Sequence, residues 1–157
     1  MLLAIATYYW LKSAHVLAAV LWVGGNAMLT LLALMTIGLR DPVRLAQFVK
    51  QVAFLGAAYI PVLSLMVIAF GFGMVENRDL GYSATWLQIG IAGWAASFVV
   101  GAGYLGPTSK KVSKLIEAHG PDSDEAQALI QRLLLVARLD VVLLLVIVFD
   151  MTAKPWS

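Results

Sequence analysis

Three polar residues interrupt the first hydrophobic stretch of the chain, Lys12, His15 and Asn26, and they are the first candidates for chemistry. Tyr8, Lys12, His15, Trp22 and Asn26 follow one another at intervals of 4, 3, 7 and 4 residues, which places them along one face of a helix. Ionisable groups are costly in hydrocarbon, so that face is expected to look into a helix bundle. An imidazole in such a place can be an axial haem ligand or a metal ligand. It can equally hydrogen-bond to a neighbouring helix and hold no cofactor. The other histidine, His119, lies in a polar stretch.

A second set of candidates lies in the last hydrophobic stretch. Arg138 and Asp140 are two residues apart, about 200° around a helix, so they cannot share a face. Asp140 is expected near mid-membrane, facing inward towards Tyr59 or Asn26, as a proton-relay carboxylate or as a hydrogen-bonded structural group. Arg138 lies nearer the inner surface, where its long side chain can snorkel. Asp150 falls at the depth of His15 and Lys12. It is either an interfacial residue or the partner that fixes the imidazole tautomer. Met74 and Met151 lie near the same end. A thioether there can join a histidine on Cu(I) or become a second haem ligand, and it can also simply fill a gap in apolar packing.

These residues need a membrane scaffold. Of 157 residues 61% are hydrophobic and 13% charged, whereas a soluble domain carries about a quarter charged residues. There is no cysteine, which excludes disulfides, zinc–thiolate sites and iron–sulfur clusters. A net charge of +2, with no basic–aromatic stretch, gives no footprint for nucleic acid. No basic segment opens the chain as in a cleaved signal, so the first stretch reads as a retained helix. Four segments reach the ~20 residues that cross a bilayer, at about 8–38, 43–75, 84–106 and 126–152. The fold class is therefore an all-α, four-helix transmembrane bundle in one domain, 1–157. Pro42 suits a helix start, Pro61 a kink, and Ser123 or Asp122 an N-cap for the last helix. Past Pro107 the third helix continues as a polar stretch.

Arg40, Arg44 and Lys50 follow the first helix, and Lys110, Lys111, Lys114 and Arg132 follow the third. The other side has Lys12, Arg78 and Lys154. The excess places both basic loops in the cytoplasm and both termini outside. Trp10, Trp86 and Trp156 then form an aromatic belt at the outer boundary. Gly90, Gly93, Ala96, Ser97, Gly101 and Gly103 give the third helix small residues for close approach, within the chain or in a homo-oligomer. Gly71-Phe-Gly73 lacks the strand–loop–helix setting of a phosphate loop, and neither Ser-x-x-Lys nor HExxH occurs.

The two halves look like repeats. Shifted by 76, Ala19, Trp22, Val23 and Gly25 meet Ala95, Phe98, Val99 and Gly101; shifted by 79, Leu65–Gly71 meets Leu144–Asp150. The repeat breaks where Lys12 faces Gln88, His15 faces Ile91, Asp140 faces Pro61 and Asp150 faces Gly71. Three of these four breaks lie near the outer end, which points to one asymmetric polar site there.

Tyr8-Tyr-Trp-Leu-Lys-Ser-Ala-His15, followed by Trp22-Val-Gly-Gly25, resembles a group of small bacterial membrane proteins. It is similar to the opening of the HemJ-type protoporphyrinogen oxidases, and its His…Trp-x-Gly-Gly pattern to the CopD-type copper-resistance membrane domain. The ending Met151-Thr-Ala-Lys154-Pro155 resembles that of a bacterial four-helix integral-membrane family of unknown function. The HemJ resemblance implies haem b with His15 as ligand, and a helix-three lysine needed for oxidase activity. Trp86-Leu-Gln-Ile-Gly90 looks like that segment, with Gly90 in the lysine's place, which argues against the oxidase reaction. The copper reading has a single membrane histidine to stand on. The resulting expectation is a haem-b-binding or redox-associated protein of the bacterial inner membrane, not itself an enzyme, with His15, Lys12, Trp22, Asn26, Asp150 and Met151 around the cofactor. The alternatives are a protoporphyrinogen-oxidase-like enzyme, a copper-handling protein, or a structural subunit of a larger membrane complex.

Overall fold

A computed structural model describes residues 2–38, 41–78 and 81–155. Arg40 of the loop after the first helix and Trp156 of the expected aromatic belt lie outside the described residues. The described residues are helical almost throughout: α1 (Leu2–Gly38), α2 (Pro42–Arg78), α3 (Thr85–Val100), a π turn (Gly101–Leu105), α4 (Gly106–His119) and α5 (Asp124–Ala153). The third long helix thus runs unbroken from Thr85 to His119. Three helices are long and apolar enough to cross a membrane: Ile5–Gly38, Val43–Arg78 and Thr85–His119. This is a membrane protein by that measure. α5 has the length, with 30 residues or about 45 Å, but its apolar stretch carries Arg138, Asp140 and Asp150.

Local chemistry sets the ends. Asp41 caps α2 through Oδ1, which accepts from the backbone N–H of Val43 at 3.0 Å and Arg44 at 3.2 Å, while Oδ2 meets Arg44 Nε at 3.2 Å. Pro42 takes the first helical position, where a missing N–H costs nothing. Gly120, at φ +83, stops α4 in a conformation that glycine adopts freely. Ser123 holds the N-cap position of α5, but its hydroxyl donates back to the Gly120 carbonyl at 3.1 Å instead of accepting from the helix. Gln127 Nε2 closes the same turn on the Pro121 carbonyl at 2.8 Å.

α2 continues through Pro61. The third long helix instead takes a π turn before its proline. Pro107 has no N–H to give and its ring crowds the carbonyl one turn back. The chain takes an extra residue, and the N–H of Gly106 reaches the Gly101 carbonyl five positions earlier. A Cβ on residue 106 would lie 3.3 Å from that oxygen, so glycine fits best there.

The helices pack as two hairpins, α1 with α2 and α3 with α5. Glycines make both seams close. A Cβ on Gly73 would meet Leu11 at 3.2 Å, and one on Gly71 the His15 ring at 3.3 Å. In the other hairpin Met151 sits over Gly90 and Ile147 over Gly93. Each seam ends in a cation–π contact: Arg78 lies 4.2 Å from the Tyr8 ring, and Lys154 4.1 Å from the Trp86 ring. The start of α1 and the end of α5 therefore lie at the same end of the bundle.

Two core layers sit beneath. The middle layer is Ala18, Trp22, Leu63, Val67 and Leu144. At the other end Leu45, Val112, Ile116, Ala126, Ile130 and Leu134 form a second layer. There α4 is amphipathic, burying Ser109, Val112 and Ile116 and exposing Lys110, Lys111 and Lys114.

Candidate functional site

The structure brings the candidate residues together in two places. The first is the end of the α1–α2 seam near the start of α1. His15 is half-buried, and its Nδ1 lies 2.8 Å from the carbonyl oxygen of Val67. A carbonyl only accepts, so Nδ1 carries the proton in this bond, and in the neutral ring the lone pair belongs to Nε2. Gly71, one turn on from Val67, makes the contact possible: any side chain there would press on Cε1 and Nδ1.

Asp150 is not what holds Nδ1. It is 4% exposed, and both its carboxylate oxygens are buried without a hydrogen-bond partner among the described residues. Its place in the site is that of a buried, unpaired acid at the same end of the bundle. Met151 faces α3, with its methyl in the space a side chain on residue 90 would need. That commits its thioether end to Gly90, and His15 to α2.

Lys12 departs from the expected inward face. It is exposed, and the inward stripe of α1 is His15, Ala18, Trp22 and Asn26. Residue 12 sits about 60° round the helix from His15, enough to leave the stripe. Tyr8, half-buried, is taken up by Arg78.

The second place is a cavity of about 130 Å³ between the long helices, lined by residues from all of them. Trp22 and Asn26 of α1, Ser64 of α2, Ser97 and Phe98 of α3, and Asp140 of α5 form its polar and aromatic wall. Asp140 is 6% exposed, with Ser97 beside its carboxyl group, and its Oδ1 is buried without a hydrogen-bond partner among the described residues. Trp94 ties α3 to α2 beside the cavity by donating from Nε1 to Ser64 Oγ at 2.9 Å and to the Ser64 carbonyl at 3.0 Å. Its ring stacks on Phe98 with centroids 5.4 Å apart. Asn26 donates from Nδ2 to the Trp22 carbonyl at 2.8 Å, within its own helix.

Tyr59 is 43% exposed and takes no part in this cavity, because residues 60, 61 and 64 form the inward arc of α2. Arg138 is exposed, on the opposite side of α5 from Asp140. Pro61, inside the unbroken α2, and the π turn both line the cavity. Irregular backbone at membrane depth is tolerated where it borders a cavity.

Sequence reasoning treated Ser97 only as a small packing residue, Gly101 as a small residue and repeat partner, and Phe98 only as a repeat partner, and it left out Ser64 and Trp94. The available signal was Gly101 followed five residues later by Gly106-Pro107, the pattern that forces the extra residue. Outside the bundle, the Tyr82 hydroxyl donates to Glu76 Oε1 at 2.6 Å, and Gln88 Nε2 donates to the Tyr82 carbonyl at 3.1 Å. The hydrogen bond to Glu76, with slight desolvation and the Glu76 charge, raises the Tyr82 phenol above its ordinary pKa.

Among the described residues no three His, Cys, Asp or Glu side chains converge as a metal cluster. No protein-family model, curated protein or solved structure matches the chain.

Proposed function

We propose that this chain is a four-span protein of the bacterial cytoplasmic membrane that binds haem b, or serves a redox partner, through His15 near the outer face, and that it is not itself an enzyme. The observation that carries the reading is the bond between His15 Nδ1 and the Val67 carbonyl. It fixes the tautomer and the ring plane and leaves Nε2 for iron, the way ligating imidazoles are commonly held. Met151 is engaged at Gly90, so the reading has a single protein ligand and a high-spin iron. Asp150 and the exposed Lys12 supply opposite charges near the same end. With the methyl of Met151 at Gly90, the position of the oxidase family's lysine offers no support for porphyrinogen oxidation.

The fourth span is supported by topology. Three helices can cross, and α5 returns to the end where α1 begins, with Asp140 and Asp150 turned away from lipid. The lysine and arginine count puts that end outside. The cysteine-free chain makes this simple to test. A membrane-impermeant maleimide should label Ser157→Cys on intact cells and Ala118→Cys only after lysis; the reverse pattern inverts the topology.

The haem reading is tested by reconstituting the purified chain with haem b. The expected result is a stoichiometric high-spin Soret band that His15→Ala abolishes. No band, or a band indifferent to His15→Ala, removes His15 as ligand.

A further inference from the structure

The cavity around Asp140 supports an inference independent of His15. At about 130 Å³ it compares with an engineered cavity of about 150 Å³ that binds benzene, so a guest of roughly six or seven non-hydrogen atoms fits. Its wall is mostly apolar. Among the described residues Asp140 is the one lining residue with a formal charge, and no lysine, arginine or histidine lines the cavity with it. Asp140 is 6% exposed, and its Oδ1 is buried with no hydrogen-bond partner among the described residues. Trp22 and Phe98 border the same space.

Each feature narrows the guest. An anion would meet a carboxylate and no cation. A neutral apolar guest would gain nothing from Asp140 and would leave Oδ1 as unsatisfied as before. A bare divalent cation seeks about six oxygens, more than one carboxyl group among apolar walls provides. An organic ammonium meets all of the requirements. Its charge answers the carboxylate, its methyl or methylene groups suit the apolar wall, and aromatic faces attract its positive surface most strongly where water is absent.

We propose that this cavity is a binding site for a small organic ammonium ion, with Asp140 as its counter-ion and Trp22 and Phe98 as its aromatic wall. Guest and carboxylate together form a neutral pair, which removes the cost of an isolated charge at membrane depth.

The test uses the full chain in lipid nanodiscs, with choline as the probe and its neutral carbon isostere 3,3-dimethylbutanol as the control. Titration calorimetry and tryptophan fluorescence read the binding. Choline is expected to bind at least about tenfold more tightly than the isostere, and Asp140→Asn to erase that preference while the helical circular dichroism stays intact. Phe98→Leu, which leaves the carboxylate in place, is expected to weaken choline about threefold or more and leave the isostere nearly unchanged. Absence of choline binding, equal binding of the two probes, or a preference that survives Asp140→Asn would each overturn the proposal. The wild-type comparison of the two probes stands even if a variant does not fold.

Discussion

Two of the ionisable groups in the bundle's interior seams sit under opposite conditions. His15 has a partner: its ring lies on a glycine, and one nitrogen is bound to a backbone carbonyl at 2.8 Å. Asp140 borders the cavity, and its Oδ1 is buried without a hydrogen-bond partner among the described residues. The first arrangement orients a side chain and leaves one defined atom available. The second leaves a polar atom that its own fold does not satisfy. An unpaired buried acceptor costs about 1–3 kcal/mol. The two regions share the layer built on Trp22, Val67 and Leu144, since Val67 holds His15 and Trp22 lines the cavity. They should therefore respond separately to changes at their edges and together to changes between them.

Leu144, fully buried in that shared layer, is where the comparison should break down. Leu144→Ala is expected to cost about 2–5 kcal/mol and to disturb both regions, read as a lower unfolding midpoint in detergent with loss of both haem and choline binding. A change confined to one region would show that the layer does not couple them. Gly93→Leu should come next, at about 1–3 kcal/mol, because a Cβ there already lies 2.7 Å from Ile147 Cγ1. It should loosen α3 from α5 and spare the His15 seam.

Gly71→Val separates the regions from the other side. It should push the imidazole off the Val67 carbonyl at a stability cost of about 1 kcal/mol, shift the His15 signals in NMR and leave choline binding intact. Ser97→Ala is its counterpart at the cavity. It removes the hydroxyl from Asp140 at about 1 kcal/mol and should leave the His15 signals unmoved.

The smallest effect lies outside both regions. Tyr82 keeps its proton to higher pH than a free phenol, so the bond to Glu76 is intact below the ordinary tyrosine pKa of about 10 and is lost as pH rises through the raised value. Glu76→Gln should bring the ultraviolet phenolate transition of Tyr82 back down. An unmoved transition would contradict the assigned cause.

Most of the scaffold was legible because its signals are local. Long apolar runs, Asp41-Pro42 and Gly120 act over a turn or less, and the elements begin and end close to them. The inward place of His15, Trp22 and Asn26 was legible from spacing alone. Lys12 was misplaced because intervals of three and four residues both count as one face, although the buried arc is narrower than that. Tyr59 fails in the same way, one residue away from the inward arc of α2. The atom that holds His15 carried no signal at all, since it belongs to the backbone of residue 67, and Gly71 was its only trace. The cavity was hidden for a related reason. It arises where four helices fail to fill space around Pro61 and the π turn, and no single helix encodes that. Asp140 was legible as an inward carboxylate, but its nearest neighbour, Ser97, reads in sequence as any small residue.

The central claim is that His15 offers Nε2 as the one oriented ligand at the outer seam. Titrating haem b into the wild-type chain, His15→Ala and Asp140→Asn while following the Soret band tests it most directly. The account predicts one equivalent bound by the wild-type chain and by Asp140→Asn, and none by His15→Ala. Equal binding by all three chains would contradict it.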